Sequence, residues 1–412
     1  MNIYLFIILF VLVGIYLLNL STSLLNISSA NPQLPKEFKD LYDPKKYYES
    51  QNYLKDNSYF KIIQSTVINI IIIYLILTGG FNSIDQFVRS FNLEVIPTGL
   101  FFIVIIFFGA QIINLPFSIY DTFFIEEKYG FNRTTIKTFI FDLLKGWILS
   151  IILGGIIFSG ILWFFIKTGN WAWFWCWTGV TIFEVFLLFI APVLIMPIFN
   201  KFLPLEEGEL KEAIEKYSKH QNFKMKGIFT MDGSKRSTKS NAFFTGFGKY
   251  RRIVLFDTLI EKHSVSELVS ILAHEIGHYK KKHILQQLII SIVTNGIMFI
   301  IMSLFIKNVE LFAAFKMQDI SVYAGLLFFG FLYAPINVIL SICLNYLSRK
   351  NEYQADSYAI KTFNEPEAFI SALKKMSIDN LSNLTPHPLK VFLDYSHPPV
   401  LKRIETIRLR QI

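Results

Sequence analysis

The sequence predicts a mainly α-helical, polytopic membrane protein that carries a small α+β domain outside the lipid. Composition is the first observation: 53% of the 412 residues are hydrophobic and only 17% are charged, whereas soluble domains carry about 25% charged residues. The second is that seven apolar runs are long enough to cross a bilayer, which takes about 20 helical residues. These runs lie near 3–20, 62–80, 96–114, 146–167, 171–199, 284–306 and 322–345.

The positive charges predict the orientation of the spans. With the N-terminus outside, 36 of the 40 Lys and Arg residues fall in the inner segments 21–61, 115–145, 200–283 and 346–412, as the positive-inside rule requires. The first run has no Lys or Arg before it, which argues against a cleaved signal peptide. The net charge of +9 therefore suits anionic membrane lipids on the cytoplasmic side rather than nucleic acid.

Four parts follow along the chain. Residues 1–200 hold five spans, 201–283 form a cytoplasmic α+β segment, 284–345 hold two more spans, and 346–412 form a C-terminal segment. Within the first part we expect a helix after Pro44, an ordered inner loop at 115–135, and a kink from Pro192 and Pro197. Glu184 lies at membrane depth, which favours either a water-filled chamber or a neutral, hydrogen-bonded carboxyl.

The α+β segment is predicted to contain a helix over 205–220 and three short strands within 224–231, 240–248 and 251–256. A strand at a sheet edge can bind an extended peptide through main-chain hydrogen bonds. Asn241, Ala242 and Phe243 lie in the best candidate for such an edge.

A helix then carries the motif H-E-x-x-H, at His274, Glu275 and His278. Ser264 and Glu267 have the spacing of a capping box at its start. Residues four apart share a helix face, so the two histidines can bind one Zn²⁺ ion, while Glu275 can take a proton from an attacking water. Gly277 is a poor helix former, and its place in the motif predicts close packing on that face.

A catalytic zinc site needs a third protein ligand. In the segment N-E-Y-Q-A-D, Glu352 and Asp356 lie four residues apart and share a helical face. Glu352 can complete the ligand set, and Asp356 can accept a hydrogen bond from a ligand imidazole. By itself, such a pair is more often a solvated helix face.

Two further candidates lie near the C-terminus. His397 precedes two prolines, and Arg403 opens a basic helix. A cationic donor near a developing oxyanion would stabilise the transition state, although Arg403 suits a purely structural helix entry equally well. His387 has a similar context and is better interpreted as a loop histidine.

Taken together, these motifs resemble the type 1 CAAX prenyl protease family of integral-membrane zinc endopeptidases. The resemblance runs over nearly the whole chain, through Y-D-P-K-K-Y-Y-E-S-Q, F-F-I-E-E-K-Y-G-F-N-R-T-T, S-N-A-F-F-T-G-F-G, A-H-E-I-G-H, N-E-Y-Q-A-D and Y-S-H-P-P. It implies seven helices around a water-filled intramembrane chamber and removal of the C-terminal tripeptide from prenylated protein substrates. We expect the protein to be a monomer.

The same resemblance implies a role for each candidate residue. The zinc ligands would be His274, His278 and Glu352, and the general base would be Glu275. Asn241 would hold the substrate backbone, His397 and Arg403 would act at the scissile carbonyl, and Asp356 would lie behind the ligands. From its place in the edge strand, we expect Ala242 to bind substrate as well.

Two other functions stay open at this point. One is a broader quality-control peptidase for membrane-associated chains, which would not need a prenyl group. The other is a seven-span transporter or receptor whose histidines are structural. No inverted repeat is evident, which argues against a transporter.

Overall fold

The structure, a computed structural model, describes residues 2–245 and 251–409. Within these residues seven helices are long and apolar enough to cross a membrane, as predicted. Their helical cores are α1 (Ile3–Ser28), α2 (Pro44–Thr78), α4 (Val95–Tyr120), α5 (Ile136–Lys167), α6 (Ala172–Ile190), α11 (His283–Phe305) and α13 (Val322–Phe363). The shorter helices are α3 (Gly80–Arg89), α7 (Met196–Phe199), α8 (Glu209–His220), α9 (Asp257–Ile260), α10 (Val265–Lys280), α12 (Val309–Ala314), α14 (Pro366–Asp379), α15 (Pro388–Asp394) and α16 (Val400–Leu409).

Several of these helices run well beyond the apolar stretch that predicted them. Helix α2 starts at Pro44, where the Asp43 carboxylate accepts a hydrogen bond from the backbone N–H of Lys45 at 2.9 Å. Proline suits the first helical position because its missing N–H has no partner to lose there. Helix α13 has 42 residues, which is about 63 Å at 1.5 Å per residue, and a bilayer core needs only about half of that.

The prediction of a loop over 115–135 is wrong for its first half. Helix α4 continues to Tyr120 and passes directly into a π-helical turn at Asp121–Glu126. The extension persists past Pro116 because its aromatic side chains pack on α2, with the Phe117 and Tyr120 rings 5.9 and 5.4 Å from that of Phe60. A second π-helical turn, Ala191–Ile195, lies where the prolines of the fifth span predicted a kink.

The spans bury little of their surface. In the most apolar window of each span, no more than 17% of the residues are buried. Polar side chains nevertheless pair between spans, as in Gln64 with Asn114 at 3.1 Å and Asn295 with Glu184 at 3.3 Å. Polar groups at membrane depth face the interior of a bundle or a wet cavity. The low burial means that most of the surface of each span contacts lipid or an interior space, and the polar pairs join neighbouring spans.

A four-stranded sheet lies outside the spans, in the order β1-β2-β4-β3. Its strands are β1 (Phe202–Pro204), β2 (Gly227–Met231), β3 (Ala242–Thr245) and β4 (Arg252–Phe256). The three predicted strands are present, although the last residues predicted for β3 lie outside the described part of the chain. Sequence reasoning missed β1, a three-residue edge strand that contains a proline, which sheets tolerate only at such positions.

The four Lys- and Arg-rich segments gather at one end of the molecule. Side chains from three of them, including Phe38, Ile214 and Ile404, share one buried core with α10. The fourth segment is attached through Arg236, which makes two hydrogen bonds to Asp142 on α5 at 2.7 and 3.0 Å. Helix α10 lies inside this core, with ten of its residues buried.

The predicted capping box fixes the start of α10. The Ser264 hydroxyl accepts from the N–H of Glu267 at 3.3 Å, and the Glu267 carboxylate accepts from the N–H of Ser264 at 2.9 Å. Glu267 also accepts hydrogen bonds from Ser371 at 2.6 Å and Lys375 at 2.8 Å on α14. Burial by itself would raise the pKa of Glu267, but the hydrogen bonds from Lys375 and Ser371 outweigh it and hold the pKa below its ordinary value of 4.5.

We predict that Glu267→Gln lowers the thermal unfolding midpoint at pH 7, with a loss of about 1.5–3 kcal/mol from hydrogen bonds to a charged group. Because the folded-state pKa is lowered, this contribution is complete above pH 4.5 and is lost as the pH falls through the folded value. The gap between the variant and the parent should therefore shrink on acidification. Glu207→Gln, at a side chain that is 85% exposed, is the control. A gap that is equal at pH 7 and pH 4 would contradict the assignment.

Candidate active site

Three side chains converge where α10 meets α13. His274 and His278 come from successive turns of α10, and Glu352 comes from α13. The two Nε2 atoms are 3.1 Å apart. Glu352 Oε1 lies 3.2 Å from His278 Nε2, and its Oε2 lies 3.4 Å from His274 Nε2. The structure thus brings together the three residues that the sequence suggested as metal ligands.

A glycine allows the two helices to approach this closely. A Cβ atom on Gly277 would lie 3.0 Å from the Cα and 3.1 Å from the carbonyl oxygen of Ala355 on α13. Ala355 is itself fully buried. The close packing predicted for Gly277 is therefore present, and the small pair Gly277 and Ala355 sets the separation of the helices that carry the ligands.

Behind His274 lies a buried ion pair. Asp356 Oδ1 is 2.8 Å from His274 Nδ1, the contact that the spacing of Asp356 predicted. Arg403 Nε and Nη2 donate to the two Asp356 carboxylate oxygens at 2.9 and 2.6 Å. Because an arginine fork matches a carboxylate geometrically, this pair fixes the direction in which Asp356 points.

Behind His278 lies a contact that sequence reasoning missed. His283 Nδ1 is 3.0 Å from His278 Nδ1, and His283 Nε2 is 3.1 Å from the amide oxygen of Gln354. His283 is 2% exposed. Its signal in the sequence is a histidine that follows three lysines at the first residue of an apolar span, a place where a buried polar side chain needs a partner.

The donor set suits a divalent cation. Burial by itself would lower the pKa of His274, yet Asp356 and Glu352 raise it to about 9, so these carboxylates favour a positive charge at the site. Glu352 Oε2 is buried and accepts no hydrogen bond from the described residues. The nitrogen separation of 3.1 Å is also close to the about 3.3 Å expected for two imidazoles that bind a tetrahedral zinc. The residues present therefore fit a zinc ion.

Glu275 and His397 lie beside this cluster. Glu275 is the neighbour of His274 on α10, and burial raises the pKa of its carboxyl group above the ordinary range. His397 Nε2 lies 3.4 Å from Glu352 Oε1, and the His397 side chain is 65% exposed. The structure therefore brings His397 to the rim of the cluster. His387, by contrast, caps α15 by accepting a hydrogen bond from the N–H of Leu389.

The candidate peptide-binding strand lies at a sheet edge, as predicted. Strand β3 pairs only with β4 among the described strands, in an antiparallel register that sets Ala242 opposite Leu255. Asn241 immediately precedes the strand and is exposed. Strand β3 also contacts α10, where the Phe244 ring is 6.3 Å from that of Tyr279.

Comparison with known proteins decides the family. A family model described as the CAAX prenyl protease N-terminal region with five membrane helices matches residues 23–201, and the model of peptidase family M48 matches residues 204–411. The chain belongs to peptidase family M48. It is a membrane metalloprotease of the CAAX prenyl protease type.

Individual relatives in this family resemble the chain over nearly its full length. A CAAX prenyl protease 1 homolog from Oryza sativa subsp. japonica is 36% identical over 385 residues, covering 91% of this chain and 90% of the relative. CAAX prenyl protease 1 of Saccharomyces cerevisiae is 31% identical and covers 91% and 88%. The crystal structure of S. mikatae Ste24p superimposes with a TM-score of 0.94 at 29% identity, over 98% of this chain and 99% of that one.

We predict that Gly277→Ala weakens metal binding. The added methyl group meets the backbone of α13 rather than a movable side chain. Helix α10 must therefore shift away from α13, which moves His278 away from Glu352. Overpacking of this kind costs typically 1–3 kcal/mol. The zinc dissociation constant and the thermal midpoint should both be measured. Gly109→Ala, where an added Cβ meets nothing within 4 Å, is the matched control within a helix.

Proposed function

We propose that this protein removes C-terminal peptides from prenylated CAAX proteins, with one Zn²⁺ ion held by His274, His278 and Glu352. The observation that carries the catalytic part is the convergence of these three side chains, with all ligand atoms within 4.8 Å of one another. The names of the full-length relatives support the substrate class. The site is complete within one chain, which supports a monomer.

Each residue of the site then has a chemical task. Zinc, when bound, supplies a Lewis acid that polarises the scissile carbonyl and makes water easier to deprotonate. Glu275 takes a proton from the attacking water as its oxygen bonds to the carbonyl carbon. Glu275 then delivers that proton to the amine nitrogen as the carbon–nitrogen bond breaks. Its raised pKa suits this exchange, because the carboxyl can hold a proton between the two steps.

The sequence offers His397 and Arg403 as groups for the developing oxyanion, and we propose that His397 takes this role. His397 lies at the exposed rim of the cluster and can present an N–H to the oxygen. Arg403 lies deeper, with Nη1 3.6 Å from Glu352 Oε2 and its other nitrogens on Asp356. We assign it mainly to the orientation of these two carboxylates, and through them to the charge balance of the site.

Substrate would bind along the edge of β3 that pairs with none of the described strands. Asn241 and Ala242 would hold the peptide backbone near the scissile bond through the hydrogen bonds of strand addition. Strand β3 also lines a cavity of about 690 Å³ together with α5, α6 and α11. The residues that line it include Phe243, Phe244, Val180 and Leu187. Sites for small apolar ligands typically measure about 300–1,000 Å³. We propose that this cavity receives the prenyl chain.

The orientation proposed is an external N-terminus and a cytoplasmic active site. Its support is that the four Lys- and Arg-rich segments lie at the end of the molecule that also holds the cluster. A broader membrane peptidase that does not need a prenyl group would use the same catalytic residues, and it is distinguished by substrate alone.

The test of this function compares a farnesylated CAAX peptide with its unprenylated twin, each with and without a zinc chelator, using detergent-purified protein. Chelator-sensitive cleavage of the farnesylated peptide alone is the expected result. Equal cleavage of both peptides would establish the broader peptidase instead. If zinc is bound at one equivalent and neither peptide is cleaved, the proposal is wrong.

Glu275→Gln and Asp356→Asn should fail in different ways. Glu275→Gln removes the base and leaves the ligands, so zinc stoichiometry should stay at one while turnover falls to background. Asp356→Asn weakens the support of His274, so zinc affinity should fall roughly 10–100-fold. Metal analysis of the purified variants and competition with a chelator separate the two. Substantial turnover in Glu275→Gln would exclude it as the base.

The cavity assignment predicts a selective defect in Leu187→Trp. The larger ring would fill space beside β3, and the Michaelis constant for the farnesylated peptide should rise about fivefold or more, because prenyl binding contributes apolar burial. Leu194→Trp, at a side chain that is 58% exposed on the same span, should behave like the parent. Equal Michaelis constants in both variants would remove the cavity from substrate binding.

A further inference from the structure

The turn between α10 and α11 returns the chain towards the metal ligands. Lys282 has φ of 61°, in the left-handed region, which a non-glycine residue adopts only at some cost. This turn starts α11 at His283 and directs its imidazole back onto the ring of His278, with the ring centroids 5.0 Å apart and the planes at 76°. The strained position thus has a local consequence, the contact between these two histidines.

The contacts of His283 fix the direction of its hydrogen bonds. The Gln354 amide oxygen can only accept, so His283 Nε2 must carry the hydrogen in their 3.1 Å contact. In the neutral ring the remaining nitrogen, Nδ1, is then an acceptor. It accepts from His278 Nδ1 across 3.0 Å. His278 therefore carries its hydrogen on Nδ1, and its Nε2 presents a lone pair towards Glu352 and His274.

We propose that His283 and Gln354 are positioning residues that hold His278 in the tautomer and orientation required for zinc binding. This inference rests on the assignment of His278 as a ligand under the proposed function. Each ligand histidine then has two residues behind it. Asp356 and Arg403 lie behind His274, and His283 and Gln354 lie behind His278. A metal-bound histidine commonly needs such a partner for its second nitrogen.

The two supports differ in charge, which has a chemical consequence. The partner of His274 is a carboxylate, and the partner of His278 is a neutral imidazole that ends on a neutral amide. The neutral relay of His283 and Gln354 orients His278 without adding negative charge next to the metal. The site therefore keeps more of the Lewis acidity that hydrolysis requires than it would with carboxylates behind both histidines.

A second polar contact stiffens the relay. One helical turn after His283, Gln286 Oε1 accepts a hydrogen bond from Asn351 Nδ2 at 3.2 Å. Helices α11 and α13 are thus joined by two side-chain contacts, the one between His283 and Gln354 and the one between Gln286 and Asn351. His283 is buried, whereas Gln354 is only half-buried.

The test replaces His283 by leucine and by glutamine in the full-length, detergent-purified protein. Leucine keeps the bulk and removes the acceptor, so zinc affinity measured by chelator competition should fall roughly 10–100-fold. The visible absorption bands of the Co²⁺-substituted protein should change as well, because His278 is freed to rotate. Glutamine offers an amide oxygen to His278 Nδ1–H and should recover most of the affinity. Gln354→Leu, at a half-buried side chain, should show a smaller loss in the same direction.

The controls separate this inference from a simple loss of stability. His263 is also buried and bonds the carbonyl oxygen of Leu259, and His263→Leu should leave zinc affinity and the Co²⁺ spectrum unchanged. Equal zinc affinity in His283→Leu and the parent would overturn the inference, and so would glutamine and leucine variants that behave alike. His278→Ala must lose zinc; if it retains a full equivalent, the proposed ligand set is itself wrong.

Discussion

The close approach of α10 to α13 is the constraint on which the active site depends. The two histidines on α10 meet the carboxylate on α13 at the ligand distances seen here because the helix backbones approach closely, and Gly277 against Ala355 permits this. The rest of the soluble core holds the approach in place. Helix α10 is surrounded by side chains from the N-terminal loop, the sheet and the C-terminal helices, and its first turn is attached to α14 through Glu267.

The site also concentrates charge in a place where water is scarce. Glu352 and Asp356 are 3% and 1% exposed, and unpaired buried carboxylates are costly. Arg403 pairs with one of them, and a divalent cation would balance the other together with the two imidazoles. Without the metal, the positive charge that the carboxylates favour at His274 balances the second carboxylate, so metal binding would release a proton from the site. Here the ligand residues and their supports form one electrostatic unit.

Helix α13 connects the membrane region to the active site. The same continuous helix supplies a membrane span at one end and, at the other, Glu352, Gln354 and Asp356. Because a helix rises about 1.5 Å per residue, the seven residues from 345 to Glu352 place the ligand about 10 Å beyond the apolar stretch. The site is thus held at a fixed depth near the membrane surface. A substrate anchored in the bilayer by a lipid chain would present its adjacent peptide at that depth.

The amino-acid sequence alone determined the spans, the motif helix with its capping box, and the residue types of the metal cluster. These depend on short-range patterns: apolar run length, i to i+4 spacing and capping chemistry. Only the tertiary structure decided that Glu352 lies beside the histidine pair across 74 positions of the chain, and that Arg403 supports Asp356. It also decided that α4 continues past Pro116, and that His283 turns back onto His278. Each of these depends on which helix faces reach each other, and the sequence pattern of one segment contains no information about the surface of a distant one.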